Sequence, residues 1–220
     1  MKEYPSIQSS NSRIAPIGLP CIAFHKYDGS NLRFEWNHKR GWNKFGTRHR
    51  LFNKSDPEFG GAIDIFMRKY SGIEDIIKKD KQFRGVQEVT CYCEFFGPHS
   101  FAGQHDPKHP ALIIGGCKDS NEPKDLVLFD VAIHKKGFMT PRDFINTFCY
   151  FNTAAVVYEG NLTKEFIEYI RNEYAGEGVV CKGINGKAPH GIWRVKIKTL
   201  SYLAELKKRF AADWEKYWES

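Results

Sequence analysis

A lysine that could act as a nucleophile stands near the N-terminus, where an apolar run ends and a turn begins. It is Lys26 in the segment HKYDGSN, residues 25–31. Gly29 allows the backbone to turn sharply, so the Lys26 side chain can project from the end of the preceding strand. A lysine amine that has lost its proton can attack the α-phosphate of a nucleotide. Lys26 is therefore the first candidate catalytic residue, with Asp28 two residues away.

Two further lysines, Lys196 and Lys198, lie two residues apart in WRVKIKT. In a strand this spacing places both side chains on one face. Their charge would favour the unprotonated form of Lys26, whose pKa must fall toward neutrality before the amine can attack. The same charges would stabilise the charge that develops on a phosphate in the transition state. The spacing therefore predicts a cationic site suited to phosphoryl-type chemistry.

A carboxylate, Glu177, begins the segment EGVVCKG. Mg²⁺ prefers carboxylate and water oxygens, and Mn²⁺ accepts the same ligands. Glu177 is therefore the candidate metal ligand, either directly or through water, with Mg²⁺ or Mn²⁺ as the expected ion. The alternative interpretation is that Glu177 and Gly178 simply form a turn.

Other motifs occur between these segments, in a fixed order. They are Arg48 in FGTRHR, Glu94 in CYCEFFG, Phe129 and Asp130 in LVLFDV, and Lys182 five residues after Glu177. From about Cys21 to Thr199, the ordered set resembles the covalent nucleotidyltransferase superfamily. This superfamily includes ATP-dependent DNA ligases, RNA ligases and mRNA capping enzymes.

The resemblance implies a role for each matching residue. Lys26 would form a covalent lysyl-nucleotide, and Asp28 would orient it or the water shell of the metal. Glu94 would hold the ribose hydroxyls, Phe129 would stack on the base, and Arg48 would contact the nucleotide and the polynucleotide end. The implied ATP-binding residues are Lys26, Arg48, Glu94, Phe129, Glu177, Lys182, Lys196 and Lys198, and the catalytic residues are Lys26, Asp28, Lys196 and Lys198.

The residue at position 31 distinguishes branches of this superfamily. DNA ligases and capping enzymes resemble KxDGxR, whereas RNA ligases commonly show KxxGSN, and this chain has Asn31. Asn31 can hydrogen-bond a sugar hydroxyl, and the 2′-hydroxyl is the group that distinguishes RNA from DNA. The resemblance therefore implies an ATP-dependent RNA ligase, with Asn31, Arg33 and Arg48 as RNA-binding residues.

The implied reaction joins a 5′-phosphate to a 3′-hydroxyl through lysyl-AMP. Its partners would be RNA ends, including nicked duplexes or RNA/DNA hybrids. Three alternatives remain: a small ATP-dependent DNA ligase, a GTP-using mRNA capping guanylyltransferase, and a non-catalytic RNA-binding module. A zinc site built from His99, His105 and His109 with Cys91, Cys93 or Cys117 is disfavoured, because the spacing matches no compact zinc motif.

The charge distribution is compatible with a nucleic-acid partner. The 220 residues include 33 Lys and Arg against 26 Asp and Glu, a net charge of +7. Basic residues concentrate in segments 26–54 and 178–209, which could follow a phosphate backbone. Aromatic residues in the first segment could stack on unpaired bases. With 41% hydrophobic and 27% charged residues, the composition excludes collagen-like, low-complexity and wholly disordered classes.

The hydrophobic pattern mixes strands and helices irregularly. It predicts strands at 21–26, 31–36, 86–95, 126–133, 154–158, 178–182 and 192–198, and helices at 63–77 with a break at Ser71-Gly72, from Thr140, at 161–174 and at about 200–219. This mixture predicts an α+β fold in which helices flank antiparallel sheets. The resemblance implies a nucleotidyltransferase core, similar to an ATP-grasp-like ligase core, without an OB domain.

Chain length and hydropathy set expectations about organisation. We expect a single nucleotidyltransferase domain over residues 1–220, because 22 residues after Lys198 are too few for an OB domain. No apolar run approaches the ~18 residues that span a bilayer, and the N-terminus lacks the apolar stretch of a signal peptide. We therefore expect a monomeric cytoplasmic protein, of viral or phage origin among other sources. Its six scattered cysteines are expected to be reduced thiols.

Overall fold

The computed structural model describes residues 3–12, 15–103, 124–184 and 192–215. The chain divides into two compact units, which we name for their sheets. The five-stranded unit comprises Pro5–Tyr27, Thr140–Arg142 and Ala154–Ser220, and the six-stranded unit comprises Met1–Tyr4, Asp28–Met139 and Asp143–Thr153. The expectation of a single domain stays a prediction.

Strands and helices alternate without a regular repeat along the described residues. The strands are β1 (Gln8–Ser9), β2 (Pro20–Lys26), β3 (Ser30–Asn37), β4 (Gly41–Gly46), β5 (Leu51–Phe52), β6 (Glu88–Phe96), β7 (Asp125–Ile133), β8 (Gly137–Phe138), β9 (Val156–Asn161), β10 (Gly178–Gly183) and β11 (Arg194–Lys198). The helices are α1 (Gly60–Tyr70), α2 (Ile73–Lys79), α3 (Pro141–Phe148), α4 (Lys164–Glu173) and α5 (Leu200–Phe210). The predicted α+β class is confirmed.

The five-stranded sheet has the order β1-β11-β10-β2-β9. All neighbouring strands are antiparallel except β1 and β11, which are parallel. Because β10 runs opposite to both of its neighbours, its first residue lies beside their last residues. Gly178 pairs with Lys26 on one side and with Lys198 on the other. This register brings three strand ends together at one edge.

One face of this sheet forms an apolar core with α4. The core contains Cys21, Ala23, Leu162, Phe166, Ile167, Ile170, Val179, Cys181 and Ile197. Successive residues of a strand point to opposite faces, so the even-numbered Lys26, Lys182, Lys196 and Lys198 lie on the face away from this core. The alternation therefore separates apolar packing from the cationic residues.

The six-stranded sheet has the order β5-β4-β3-β6-β7-β8 and is antiparallel throughout. Aromatic residues pack it against α1. The Phe34 and Phe66 rings stack with centroids 3.9 Å apart and an interplanar angle of 3°. The Trp42 ring meets Phe66 edge-on at 4.8 Å. Such pairs add to the free energy of simple area burial.

Helix boundaries largely follow the sequence signals. The predicted break at Ser71-Gly72 is confirmed, because α1 ends at Tyr70 and α2 begins at Ile73. The first turn of α4 is capped by Thr163, whose side chain accepts a hydrogen bond from Phe166 N. Threonine at this position explains why the helix begins three residues later than the expected start at 161.

The C-terminal helix predicted over about 200–219 is interrupted within the described residues. Helix α5 begins at Leu200, as expected, but ends at Phe210. Ala211 has a φ of +43°, which interrupts the helical backbone, and a 3₁₀ turn follows over Ala211–Asp213. No glycine or proline marks this end in the sequence, and residues 216–220 lie outside the described ranges.

Two further sequence-based expectations can be compared with the described residues. Cys21, Cys91, Cys93, Cys149 and Cys181 are free thiols, and Cys149 is the exposed one among them. None of the helices formed by the described residues has the length and apolar character that a bilayer crossing requires.

Candidate active site

Lys26 forms an ion pair with Glu177 at the edge of the five-stranded sheet. Lys26 Nζ lies 2.7 Å from Glu177 Oε2, and the two side chains are 17% and 2% exposed. Lys26 is the last residue of β2, and Glu177 immediately precedes β10. A carboxylate buried this deeply requires charged or hydrogen-bonding partners. The candidate nucleophile and the candidate metal ligand are thus in direct contact.

The Glu177 carboxylate also contacts Lys198, the last residue of β11. Lys198 Nζ lies 3.1 Å from Glu177 Oε1, and the Lys198 side chain is 5% exposed. Each carboxylate oxygen therefore contacts a different ammonium group. The sequence had suggested that Lys198 would act on Lys26 directly, whereas the structure places a shared carboxylate between them.

The turn that carries Glu177 is fixed by glycine and by Thr199. Gly178 has a φ of +142°, and a Cβ at this position would lie 1.9 Å from Ile197 O, so a larger residue would not fit. Thr199 N donates to Glu177 O at 3.0 Å, and Thr199 Oγ1 donates to Gly176 O at 2.8 Å. The same hydroxyl accepts from Tyr202 N and caps α5. One threonine therefore links the start of α5 to the Glu177 turn.

Lys182 and Lys196 extend the positive charge of this face, and each is 4% exposed. Lys182 Nζ lies 4.8 Å from the centre of the Phe24 ring, and Lys198 Nζ lies 5.2 Å from that of Tyr202. Both are cation–π contacts. Among the described residues of this unit, the buried charged side chains are three lysines and one glutamate. An excess of buried positive charge favours an anionic ligand.

His25 is a neighbour of this cluster that the sequence reasoning did not single out. His25 Nδ1 lies 2.7 Å from the Tyr174 hydroxyl, and its ring meets the Tyr27 ring edge-on at 4.6 Å. Burial lowers the pKa of His25 below its ordinary value, although the Glu177 charge acts in the opposite direction. The imidazole is therefore neutral at pH 7 and adds no further cation beside Lys26. Its position directly before Lys26 was a signal in the sequence.

A divalent metal fits the donor chemistry around Glu177. Mg²⁺ is commonly held by one or two carboxylates, with water and substrate phosphate oxygens completing its shell. No group of three or more His, Cys, Asp or Glu suited to hold a metal ion occurs in the described part of the chain. A metal at Glu177 would therefore take most of its ligands from water and from a nucleotide. His105, His109 and Cys117 of the zinc alternative lie outside the described residues.

In the six-stranded unit, Asn31 and Glu94 are direct cross-strand partners. Asn31 of β3 pairs with Glu94 of β6, and both residues are half-buried. Directly opposed residues share a face of the sheet, so a sugar-binding role for both is geometrically consistent. Their predicted contacts with ribose and RNA stay predictions.

Phe129 lies at an irregularity in β7. Tyr92 pairs with Asp130 and Cys93 with Leu128, which leaves Phe129 as the extra residue of a bulge. Bulges redirect a side chain and are frequent beside active sites. The Phe129 ring is half-buried and meets the Tyr4 ring edge-on at 5.1 Å, while Tyr4 OH donates to Asp130 Oδ2 at 2.9 Å. The contact of Tyr4 with this motif was not predictable from the sequence.

Asp28 and Arg48 lie in loops of the six-stranded unit. Asp28 Oδ1 accepts from Gly103 N at 2.8 Å, and Asp28 Oδ2 accepts from Ala102 N at 3.0 Å. These contacts join the loop after Phe96 to Asp28, the first residue of the segment Asp28–Met139 of this unit. Arg48 is half-buried in the turn between β4 and β5. The roles implied for both residues stay predictions.

Arg33 occupies a position that does not support the expected RNA contact. Its side chain is 1% exposed, and its Nε lies 3.2 Å from Glu35 Oε1. A Cβ on Gly46, in the paired strand, would lie 2.8 Å from the Arg33 guanidinium. The small residue opposite Arg33 makes room for its side chain within the sheet, which explains why this basic residue is buried.

The described fold is similar to solved structures of an RNA ligase. The Naegleria gruberi RNA ligase with PPi aligns with a TM-score of 0.65 and 15% identity, covering 95% of this chain and 59% of that chain. A mutant of it with ATP and Mn aligns with a TM-score of 0.65 and 16% identity, over the same shares. The chain has the RNA ligase nucleotidyltransferase fold. The resemblance predicted from the ordered motifs is confirmed at this level.

This chain spans about three fifths of the length of the solved chains that it matches. No protein-family model and no curated protein matches the sequence. At 15 to 16% identity, this similarity shows the fold alone. Inferences about chemistry rest on the motifs and on the cluster around Lys26.

Proposed function

We propose that the chain is an ATP-dependent RNA ligase that forms a covalent lysyl-AMP at Lys26. The observation that carries this proposal is the sharing of Glu177 between Lys26 and Lys198, at 2.7 Å and 3.1 Å, on a face rich in buried lysines. The choice of RNA is supported by Asn31 and by the fold shared with an RNA ligase.

In the first step, Lys26 Nζ attacks the α-phosphorus of ATP. The Lys26 ammonium group first gives up one proton; a P–N bond then forms, the P–O bond to pyrophosphate breaks, and a second proton leaves Nζ for water. Glu177 Oε2 is within hydrogen-bond range of Nζ and can take the first proton. Two ammonium groups share this carboxylate, so each receives less stabilisation than in an isolated pair. Lys198 and Lys196 stabilise the charge on the phosphate.

The later steps transfer the nucleotide and then release it. AMP passes from Lys26 to an oxygen of an RNA 5′-phosphate. A 3′-hydroxyl then attacks the phosphorus of that RNA 5′-phosphate and displaces AMP. We assign ribose contacts to Glu94, base stacking to Phe129, and contacts with the nucleotide and RNA end to Arg48, as the resemblance implies. Asp28 orients Lys26 or the water shell of the metal, and Asn31 contacts an RNA sugar. Lys182 contributes charge to the nucleotide site.

The metal expected in this reaction would be held by Glu177, with Mg²⁺ or Mn²⁺ as candidates. When bound, it would supply positive charge for the nucleotide phosphates. Removing divalent ions with a chelator should abolish lysyl-AMP formation, and adding Mg²⁺ or Mn²⁺ should restore it.

The direct test is intact-mass measurement of the chain after incubation with ATP and a divalent ion. The proposal predicts the added mass of one AMP, which is lost in Lys26→Ala. Lys164→Ala is a matched control, since Lys164 is exposed at the start of α4 and should be labelled like the unsubstituted chain. Equal labelling of Lys26→Ala would contradict the proposal.

Parallel reactions separate the alternative functions. Labelling by GTP instead of ATP would indicate a capping-type guanylyltransferase. Equal sealing of all-DNA and RNA-containing nicks would indicate a DNA ligase. RNA binding that persists in Lys26→Ala, with no labelling of any variant, would indicate a non-catalytic binding module.

A further inference from the structure

A cavity of about 210 Å³ lies in the five-stranded unit, at the edge where β1 pairs with β11. It does not involve the residues to which the motifs assign base or ribose contacts. Its lining comprises Ser9, Ser10 and Asn11, Glu168 and Arg171 of α4, Lys196 and Lys198 of β11, and Leu200 and Leu203 of α5. The volume is several times the roughly 30 Å³ that one water molecule occupies in the liquid.

The hydrogen bonds around this cavity leave it rich in donors. Arg171 donates to Ser10 Oγ at 3.2 Å and also to Asn11 Oδ1. Asn11 N donates to Ser9 Oγ at 3.3 Å. The oxygens of these three side chains are therefore already accepting hydrogen bonds. Each side chain retains donor hydrogens, on a hydroxyl or on the Asn11 amide nitrogen, for another group.

The charges at this edge also favour an anion. Arg171, Lys196 and Lys198 line the cavity, and its one acidic lining residue, Glu168, has a side chain that is 63% exposed. Arg171 pairs with Glu168 at 3.4 Å, and Lys198 pairs with Glu177, which also contacts Lys26. With Lys196, four cationic side chains therefore accompany two carboxylates at this edge. Hydrogen bonds from charged donors to phosphate oxygens are stronger than neutral ones.

We propose that this cavity is a binding site for a phosphate group, with Asn11, Ser9 and Ser10 as neutral donors and Arg171 as their organiser. Two sources offer that chemistry: the pyrophosphate portion of a nucleotide, and the 5′-phosphate of an RNA end. Binding of the phosphate itself does not depend on reaction at Lys26. Assignment of the source rests on the proposed ligase function.

Calorimetric titration of the full chain with inorganic phosphate tests the site. We expect saturable binding that weakens about tenfold or more in Asn11→Asp, because a donor becomes a charged acceptor of the same shape. Arg209→Gln is the matched control: it lowers the net charge by the same unit, and Arg209 is an exposed partner of Glu205. The phosphate affinity of Arg209→Gln should stay within about twofold of that of the unsubstituted chain.

Absence of saturable binding, or equal weakening by both variants, would overturn the proposal. If Asn11→Asp fails to fold by circular dichroism, Ser9→Ala decides the question, because it removes one donor and adds no charge. Unchanged phosphate affinity in Ser9→Ala would then contradict the site.

Two kinetic measurements identify the source of the phosphate. If the site holds pyrophosphate, Asn11→Asp should raise the pyrophosphate concentration needed to remove AMP from the labelled chain. If it holds RNA, the variant should raise the KM for a 5′-phosphorylated RNA strand and leave that reversal unchanged. No change in either measurement would overturn the proposal. Failure of lysyl-AMP formation would contradict the ligase function alone, since the titration needs no reaction.

Discussion

The two units bury charged residues in different ways. In the six-stranded unit, buried Arg33 lies beside Glu35, buried Asp130 accepts from Tyr4, and buried Lys124 lies 5.2 Å from the centre of the Phe95 ring, so each charge has its own nearby partner. In the five-stranded unit, Lys26 and Lys198 share Glu177, and Lys182 and Lys196 add further buried charge. Crowding like charges costs stability, and a bound anion would offset that cost. The contrast therefore points to the five-stranded unit as the centre of the chemistry.

The largest effect is expected from Glu177→Gln, which removes the shared charge but keeps the shape. Lysyl-AMP formation should fall by about 100-fold or more, since the proton acceptor for Lys26 is lost. The free energy of unfolding should fall by about 3 kcal/mol, because buried cations lose their partner. Intact-mass kinetics and urea unfolding measure the two effects.

Glu165, an exposed residue in the first turn of α4, provides the control for this substitution. Glu165→Gln should label at the rate of the unsubstituted chain. Normal labelling of Glu177→Gln would contradict the role of Glu177 as proton acceptor. It would also contradict the assignment of the chemistry to the five-stranded unit.

A comparable loss of stability without a catalytic defect is expected from Phe66→Ala in the six-stranded unit. The substitution deletes the ring that stacks on Phe34, and should lower the free energy of unfolding by about 3 kcal/mol. Labelling per folded molecule should stay unchanged, as measured by intact mass at a temperature where the variant is folded. Met67→Ala, at a 39% exposed position, should change stability little. A labelling defect in Phe66→Ala would show that aromatic packing also controls the chemistry.

A smaller effect on stability is expected from a comparison of two glycines with positive φ. A Cβ at Gly178 would lie 1.9 Å from a backbone oxygen, whereas a Cβ at Gly85 meets nothing within 4 Å. Gly178→Ala should cost about 2 kcal/mol more than Gly85→Ala in urea unfolding, because the clash is added to a φ of +142° that strains alanine more than the φ of +74° at Gly85. Equal costs would contradict the tight turn at Glu177.

The smallest effect concerns the pH dependence of stability through His25. Its pKa is lowered in the folded chain by burial, so the unfolded chain binds more protons between that pKa and about 6.5. The stabilisation is therefore complete above pH about 6.5 and decreases as the pH falls through this window. His25→Gln should flatten the dependence of the thermal unfolding midpoint on pH between pH 5 and 7. Equal slopes for His25→Gln and the unsubstituted chain would contradict the assignment.

Local signals in the sequence were sufficient to predict much of the fold. The break at Ser71-Gly72, the helix that starts at Pro141, and the strands that carry Lys26, Glu94 and Lys198 follow from turn residues and from periods of two or near four. Each of these features depends on neighbours a few residues away, which is why pattern alone could place it.

Features that depend on distant parts of the chain were not predictable. Strand β1 has two residues and pairs with β11 across more than 180 positions, so it leaves no periodic trace. The sharing of Glu177 depends on the register of three strands, and the bulge at Phe129 depends on β6. The burial of Arg33 depends on the small Gly46 opposite it. Long-range pairing decides all of these positions.

In the proposed reaction, Lys26 is the amine that accepts AMP. Peptide mapping of the ATP-treated chain by mass spectrometry locates the modified residue. We expect a single modified peptide, with the AMP on Lys26. An AMP found on Lys198 or on Lys196 instead, with Lys26 unmodified, would contradict it.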